Sequence, residues 1–136
     1  MIRSIMKDIF FLNQKSELAT KADAQVIQDL LDTLKANKEG CVGMAANMIG
    51  VKKRIIVISM GDMNVPMINP MIVNKSGQYE TEEGCLSLIG VRKTNRFKEI
   101  EVEYFDSGFK KRRGKYSGWI AQIIQHEVDH CDGIVI

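Results

Sequence analysis

The pentapeptide His126-Glu127-Val128-Asp129-His130 constrains this chain more than any other stretch, because it uses both of the histidines present. On an α-helix, residues four apart share a face, so the two imidazoles can reach one metal ion. Glu127, beside the first imidazole, stands where it can take a proton from a metal-bound water. Ile120, Ile123 and Ile124 precede the motif, and the whole stretch predicts a helix from Trp119 to about Cys131. The competing reading is a plain helix whose two histidines pack or face solvent. A catalytic metal usually takes a third protein ligand. The longer pattern HExxHxxGxxH is met as far as Gly133, but its last position is Ile136. The third ligand is therefore expected upstream, from Cys41, Cys85 or a carboxylate. Cys131 adjoins His130 and points about 100° away around the helix, so it is poorly placed. Cys85 is favoured: it lies in Glu82-Glu83-Gly84-Cys85-Leu86-Ser87, where a glycine lets backbone approach and a turn can aim the thiolate.

The remaining sequence describes an ordinary globular chain. Its 136 residues suit one domain spanning 1–136, and 45% hydrophobic with 26% charged residues is unexceptional. A net charge of +2 argues against nucleic-acid or membrane-surface binding. Three cysteines do not make a secreted disulfide scaffold. Charge interrupts the first residues before a signal-peptide core can form, and no apolar run reaches the ~20 residues that span a bilayer. The expected compartment is the cytoplasm.

Between Ala22 and about Asn37, Val26, Ile27, Leu30, Leu31 and Leu34 recur at helical period, with Thr20 as cap and Gly40 past the end. A small-residue stretch, Gly40 to Gly50, follows. Arg54–Ser59 reads as a buried strand, Met67–Val73 as a second strand bent near Pro70, and Glu99–Phe105 as a half-buried one. Asp106 to Gly114, with the basic run Lys110–Arg113, reads as a solvated turn and its flank, and Ile134–Ile136 as a short terminal strand. Strands and helices do not alternate regularly, so the fold class is α+β.

Three segments, Gly43-Met-Ala-Ala-Asn-Met-Ile49, Glu83-Gly-Cys-Leu-Ser87 and Gln125-His-Glu-Val-Asp-His130, resemble the three signature motifs of the peptide deformylases, in the family's order. The resemblance implies antiparallel strands packed around a central HExxH helix. It implies hydrolysis of the N-formyl group from N-formylmethionyl peptides of newly made proteins, with release of formate. Carried over, it makes Cys85, His126 and His130 the ligands of one divalent ion, Fe²⁺ in the native enzyme and Zn²⁺, Ni²⁺ or Co²⁺ in preparations. Glu127 becomes the general base and then the general acid, and the Leu86 N–H an oxyanion donor.

The family's other oxyanion donor is a Gln side chain, and this chain has Met48 there; Asn47 is one position early and expected to point elsewhere. Loss of one such donor costs on the order of 3 kcal/mol in the transition state. That motivates an alternative, a catalytically weak paralogue that binds N-terminal peptides. The resemblance further implies that the nascent peptide adds as a strand along the backbone of Val42, Gly43 and Gly84, its Met side chain near Trp119, Ile123 and His126. Trp119 is expected either as pocket wall or as plain core. The expected partners are the formyl-Met end of a nascent chain and a transient ribosome contact, with no membrane or specific nucleic acid, for a monomer.

Overall fold

The computed structural model describes every residue except Leu86, Leu88, Ile89 and Ile136. Among the described residues five strands, β1 (Gly43–Ala45), β2 (Ile55–Met60), β3 (Met63–Gly84), β4 (Val91–Phe105) and β5 (Lys111–Ser117), form one sheet in sequence order. Each neighbouring pair is antiparallel. Three α-helices among the described residues accompany it: α1 (Ile9–Leu12), α2 (Ala24–Ala36) and α3 (Gly118–Cys131).

The run Ile55-Ile-Val-Ile58 is apolar throughout because β2 is covered on both faces. Successive side chains on a strand point to opposite sides. Ile55 and Val57 accordingly pack with Ile27, Leu30 and Leu34 of α2, while Ile56 and Ile58 pack with Ala121, Ile124 and Val128 of α3. Each fully buried side chain of this kind contributes about 1.5–3 kcal/mol. Farther along the sheet only one face is covered. Ile100 and Val102 point inward to α3, and Glu99, Glu101 and Glu103 point away from it, the alternation a half-buried strand requires.

The helix expected from Ala22 opens as a short 3₁₀ turn, Lys21–Asp23, capped by Thr20 as the sequence suggests: its hydroxyl accepts from the Ala22 N–H, and its own N–H donates to Asp23. The bend near Pro70 is present, with register shifts between Ile68 and Met71 and between Ile72 and Asn74. Asn69 there has φ 52°, a conformation uncommon for a side-chain-bearing residue. It is held by paired hydrogen bonds between its amide and the Ala19 backbone, at 2.7 and 3.0 Å.

Two expectations fail. The basic run is not a loop flank. Only Asp106 to Lys110 make the turn, and Lys111–Arg113 begin edge strand β5, where Glu103, Asp106 and Glu101 pair with Lys111, Arg112 and Arg113. Pairing with acids supplied by β4 and by Asp106 just beyond it lets a run of like charge be a strand. The terminal strand is also absent: Ile134 and Val135 belong to no strand, and Ile136 lies outside the described residues.

Two features set the position of α3. Gly118, at φ 60°, turns the chain from β5 into the helix through a conformation that only glycine adopts freely. The buried Gln125 amide then mimics a strand partner for β4, accepting from the Phe97 N–H at 2.7 Å and donating to the Phe97 carbonyl at 2.8 Å.

Candidate metal centre and catalytic site

One helical turn separates His126 from His130, and their Nε2 atoms lie 3.1 Å apart. Cys85, the residue after β3, brings its Sγ to 3.6 Å from His130 Nε2. The three ligand atoms all lie within 4.8 Å of one another. A thiol and two imidazole nitrogens converging at one buried point suit a divalent ion, and a thiolate with two imidazoles is a set that Zn²⁺ and Fe²⁺ accept.

The other cysteines are engaged elsewhere. The Cys41 thiol donates to the Gly43 carbonyl at 2.9 Å, and burial pushes its pKa up to about 12. Cys131 is buried among the apolar contacts between α3 and the sheet.

His126 is oriented by a buried ionic network. Its Nδ1 lies 2.8 Å from Glu83, so Nδ1 donates there and Nε2 is the ring nitrogen turned toward His130 and the centre. Glu83, on β3, is gripped by Arg96 of β4 through contacts of 2.7, 3.0 and 3.2 Å. Arg96 also reaches Asp129 at 2.6 Å, on α3 between the two imidazoles. Burial alone would raise the Glu83 pKa, but hydrogen bonds from His126 and Arg96 outweigh it and hold it at about 2. Burial likewise lowers His126, but Glu127, Cys85 and Glu83 together carry it up to about 10, so the metal-free ring is an imidazolium and its Nε2 would give up a proton to hold an ion. His130 stays neutral because burial, and then the neighbouring His126, push its pKa down to about 3.

Glu127 is buried beside this centre. Among the described residues its Oε1 has no hydrogen-bond partner, and its Oε2 is 3.9 Å from His126 Nε2. Burial pushes its pKa up to about 7. Gly43 makes the close packing feasible, since a Cβ there would sit 2.7 Å from Ile123 Cγ2 and 3.2 Å from Glu127 Cγ.

A cavity of about 680 Å³ opens onto His126, Glu127 and Cys85, within the range of small-ligand sites. The expected substrate residues Val42, Gly43, Gly84, Trp119 and Ile123 all line it, as does Met48. Trp119 is 59% exposed, so it stands at the rim and is not core. Met48 is fully buried and its thioether accepts from the Ala45 N–H at 3.5 Å. Asn47 points elsewhere, as expected, donating to the His130 carbonyl at 2.9 Å. Leu86 lies outside the described residues.

Sequence reasoning gave no role to Arg96, Asp129 or Gln122. Asp129 was inside the motif. Gln122 also lines the cavity, four residues before His126, so reading the helix face upstream would have found it. Arg96 carried no local signal, because its partner lies on another strand.

The model of the polypeptide deformylase family matches residues 4–136. The chain belongs to that family. This deformylase is 62% identical to "Peptide deformylase" of Clostridium beijerinckii over 136 residues, covering 100% of both chains. Among solved structures it is similar to a peptide deformylase from Legionella pneumophila, with TM-score 0.89 and 31% identity over 98% of this chain and 82% of that one. A Met-Ala-Ser-bound class I type b peptide deformylase from Acinetobacter baumannii matches at TM-score 0.88 and 25% identity, over 99% of this chain and 97% of that one. The antiparallel sheet around the HExxH helix, expected from the motifs, is the architecture this deformylase shares with them.

Proposed function

We propose that this deformylase acts through Cys85, His126 and His130 as metal ligands and Glu127 as proton carrier. The reaction is hydrolysis of the N-formyl group from N-formylmethionyl peptides of newly made proteins, with release of formate. The weak-paralogue alternative is not favoured, because identity to a peptide deformylase extends over the whole chain. The observation that carries the site assignment is the convergence of one thiol and two imidazoles beside a buried carboxylate with a free oxygen.

A divalent ion supplies Lewis acidity when bound, polarising the formyl carbonyl and lowering the pKa of a water from 15.7 to about 7. The protein does the rest. Glu83 and Arg96 hold His126 in the tautomer that keeps Nε2 available. Glu127 takes the water's proton and delivers it to the leaving amine, a transfer that contributes about 10²–10⁴-fold. The thioether of Met48 has no hydrogen to donate to the developing oxyanion, which leaves the backbone N–H of Leu86 as the donor the family pattern supplies. For the metal, Fe²⁺ is the native ion, with Zn²⁺, Ni²⁺ or Co²⁺ acceptable to the same ligands.

The substrate peptide enters as a strand. β1 is an edge strand, and its neighbour Val42 borders the cavity together with Gly43 and, across it, Gly84. A Met-Ala-Ser tripeptide bound to the Acinetobacter baumannii deformylase supports a Met-led peptide in this site. No helix among the described residues is long and apolar enough to cross a membrane. We read the protein as a cytoplasmic monomer that meets nascent chains through transient ribosome contact. Anaerobically prepared, iron-loaded protein should release formate from formyl-Met-Ala-Ser. No release from protein with full metal content would overturn the proposal.

A further inference from the structure

Gln122 lines the cavity beside Trp119 and Ile123, with its amide against the Glu83 carboxylate. Its orientation is enforced from both ends: Nε2 donates to Glu83 at 2.9 Å, and Oε1 accepts from the Tyr79 hydroxyl at 3.3 Å. A flipped amide would set its oxygen against the Glu83 carboxylate. An amide carries two N–H donors and acceptor lone pairs on its oxygen. Among the described residues, the two bonds therefore leave one N–H and one lone pair unused.

The position fits a particular group. Gln122 precedes His126 by one helical turn, about 6 Å along the axis. In a formyl-methionyl peptide the sulfur is five bonds from the formyl carbon, a reach of about 6 Å when extended. With the formyl group at Cys85, His126 and His130 and the side chain directed toward Trp119 and Ile123, the thioether reaches the level of Gln122.

We propose that Gln122 is a specificity-determining residue whose free N–H meets the thioether of the substrate methionine. Building on the deformylase reading, this assigns the enzyme a preference for methionine over norleucine, which has the same shape with a methylene in place of sulfur. A methylene leaves the N–H without a partner inside the cavity, whereas sulfur accepts it, weakly.

The test compares kcat/KM for formyl-Met-Ala-Ser and formyl-norleucyl-Ala-Ser by formate release. Metal-loaded wild type should favour methionine about fivefold, the worth of one modest hydrogen bond. In Gln122→Leu the ratio should fall to about one. A purely structural role, acting through Glu83, would lower both substrates together and leave the ratio unchanged. A wild-type ratio near one, or a ratio that survives Gln122→Leu, would overturn the assignment. If Gln122→Leu does not fold, wild type suffices. Trp119 is the chain's one tryptophan and stands at the cavity rim, so its fluorescence reads binding of Met-Ala-Ser against norleucyl-Ala-Ser. Methionine product should bind about fivefold tighter, and equal affinities overturn the proposal. Failure to release formate from either substrate counts against the deformylase reading instead.

Discussion

Replacing Glu83 by Gln keeps the side chain's shape and removes its charge from a buried network. In the native protein that carboxylate meets Arg96 through three contacts of 2.7–3.2 Å and His126 Nδ1 at 2.8 Å. Arg96 is 3% exposed, so water cannot replace the lost anion. Breaking a buried ion pair from one side costs about 3–5 kcal/mol. Asp129 remains on Arg96 at 2.6 Å, which places this case at the low end, about 3 kcal/mol. For a chain of 136 residues that corresponds to a fall in Tm of about 10 °C. Metal affinity should fall about 10–100-fold, because the Gln oxygen accepts the His126 proton with less charge behind it. Thermal unfolding of metal-free protein reads the first effect, and competition with a chromogenic chelator reads the second. Adding Arg96→Met removes the stranded cation, so the double variant should be more stable than the two single losses summed. A Glu83→Gln protein with unchanged Tm and unchanged metal affinity would refute the network's role.

Cys85→Ala should empty the metal site as measured by elemental analysis, whereas Cys41→Ala should leave the metal content intact, since the Cys41 thiol is committed to the Gly43 carbonyl. Glu127→Ala should retain metal and lose about 10²–10⁴-fold in kcat, because it removes proton transfer and not a ligand. Met48→Gln should raise kcat about tenfold to a hundredfold with little change in KM: a preorganised donor is worth 10²–10³, less the cost of burying the amide. Steady-state formate release measures both. Hydrogen bonds from Arg113 and Asn74 hold the Glu101 pKa down at about 2, so its contribution to β4–β5 pairing is complete above about pH 4.5 and fades as pH falls toward 2. Amide protection in β5 should drop over that window in wild type and not in Glu101→Gln.

Local pattern was enough for the two long helices and for the apolar parts of β2, β3 and β4, since helical period in Ala24–Ala36 and alternation in Glu99–Phe105 are imposed by which side faces the core, but it did not mark α1 or β1. It was not enough for the outer half of β3. Residues 74–80 are polar and mostly exposed, and they are strand only because β4 pairs with their backbone. The same holds for Lys111–Arg113, whose charges looked like a loop until β4 supplied Glu101 and Glu103 opposite them.

By itself the sequence pointed to the chemistry. Two histidines four apart on a helix can only share a face, and exhausting the histidines sends the third ligand to another residue type. Tertiary structure decided which candidate stands beside them. It brought Cys85 across 45 residues to within 3.6 Å of His130, and tied Cys41 to a carbonyl. It also decided that Arg96 anchors Glu83 and that Gln122 faces the cavity. Contacts of this kind are made between strands and helices whose register depends on the whole sheet, so no window of sequence contains them.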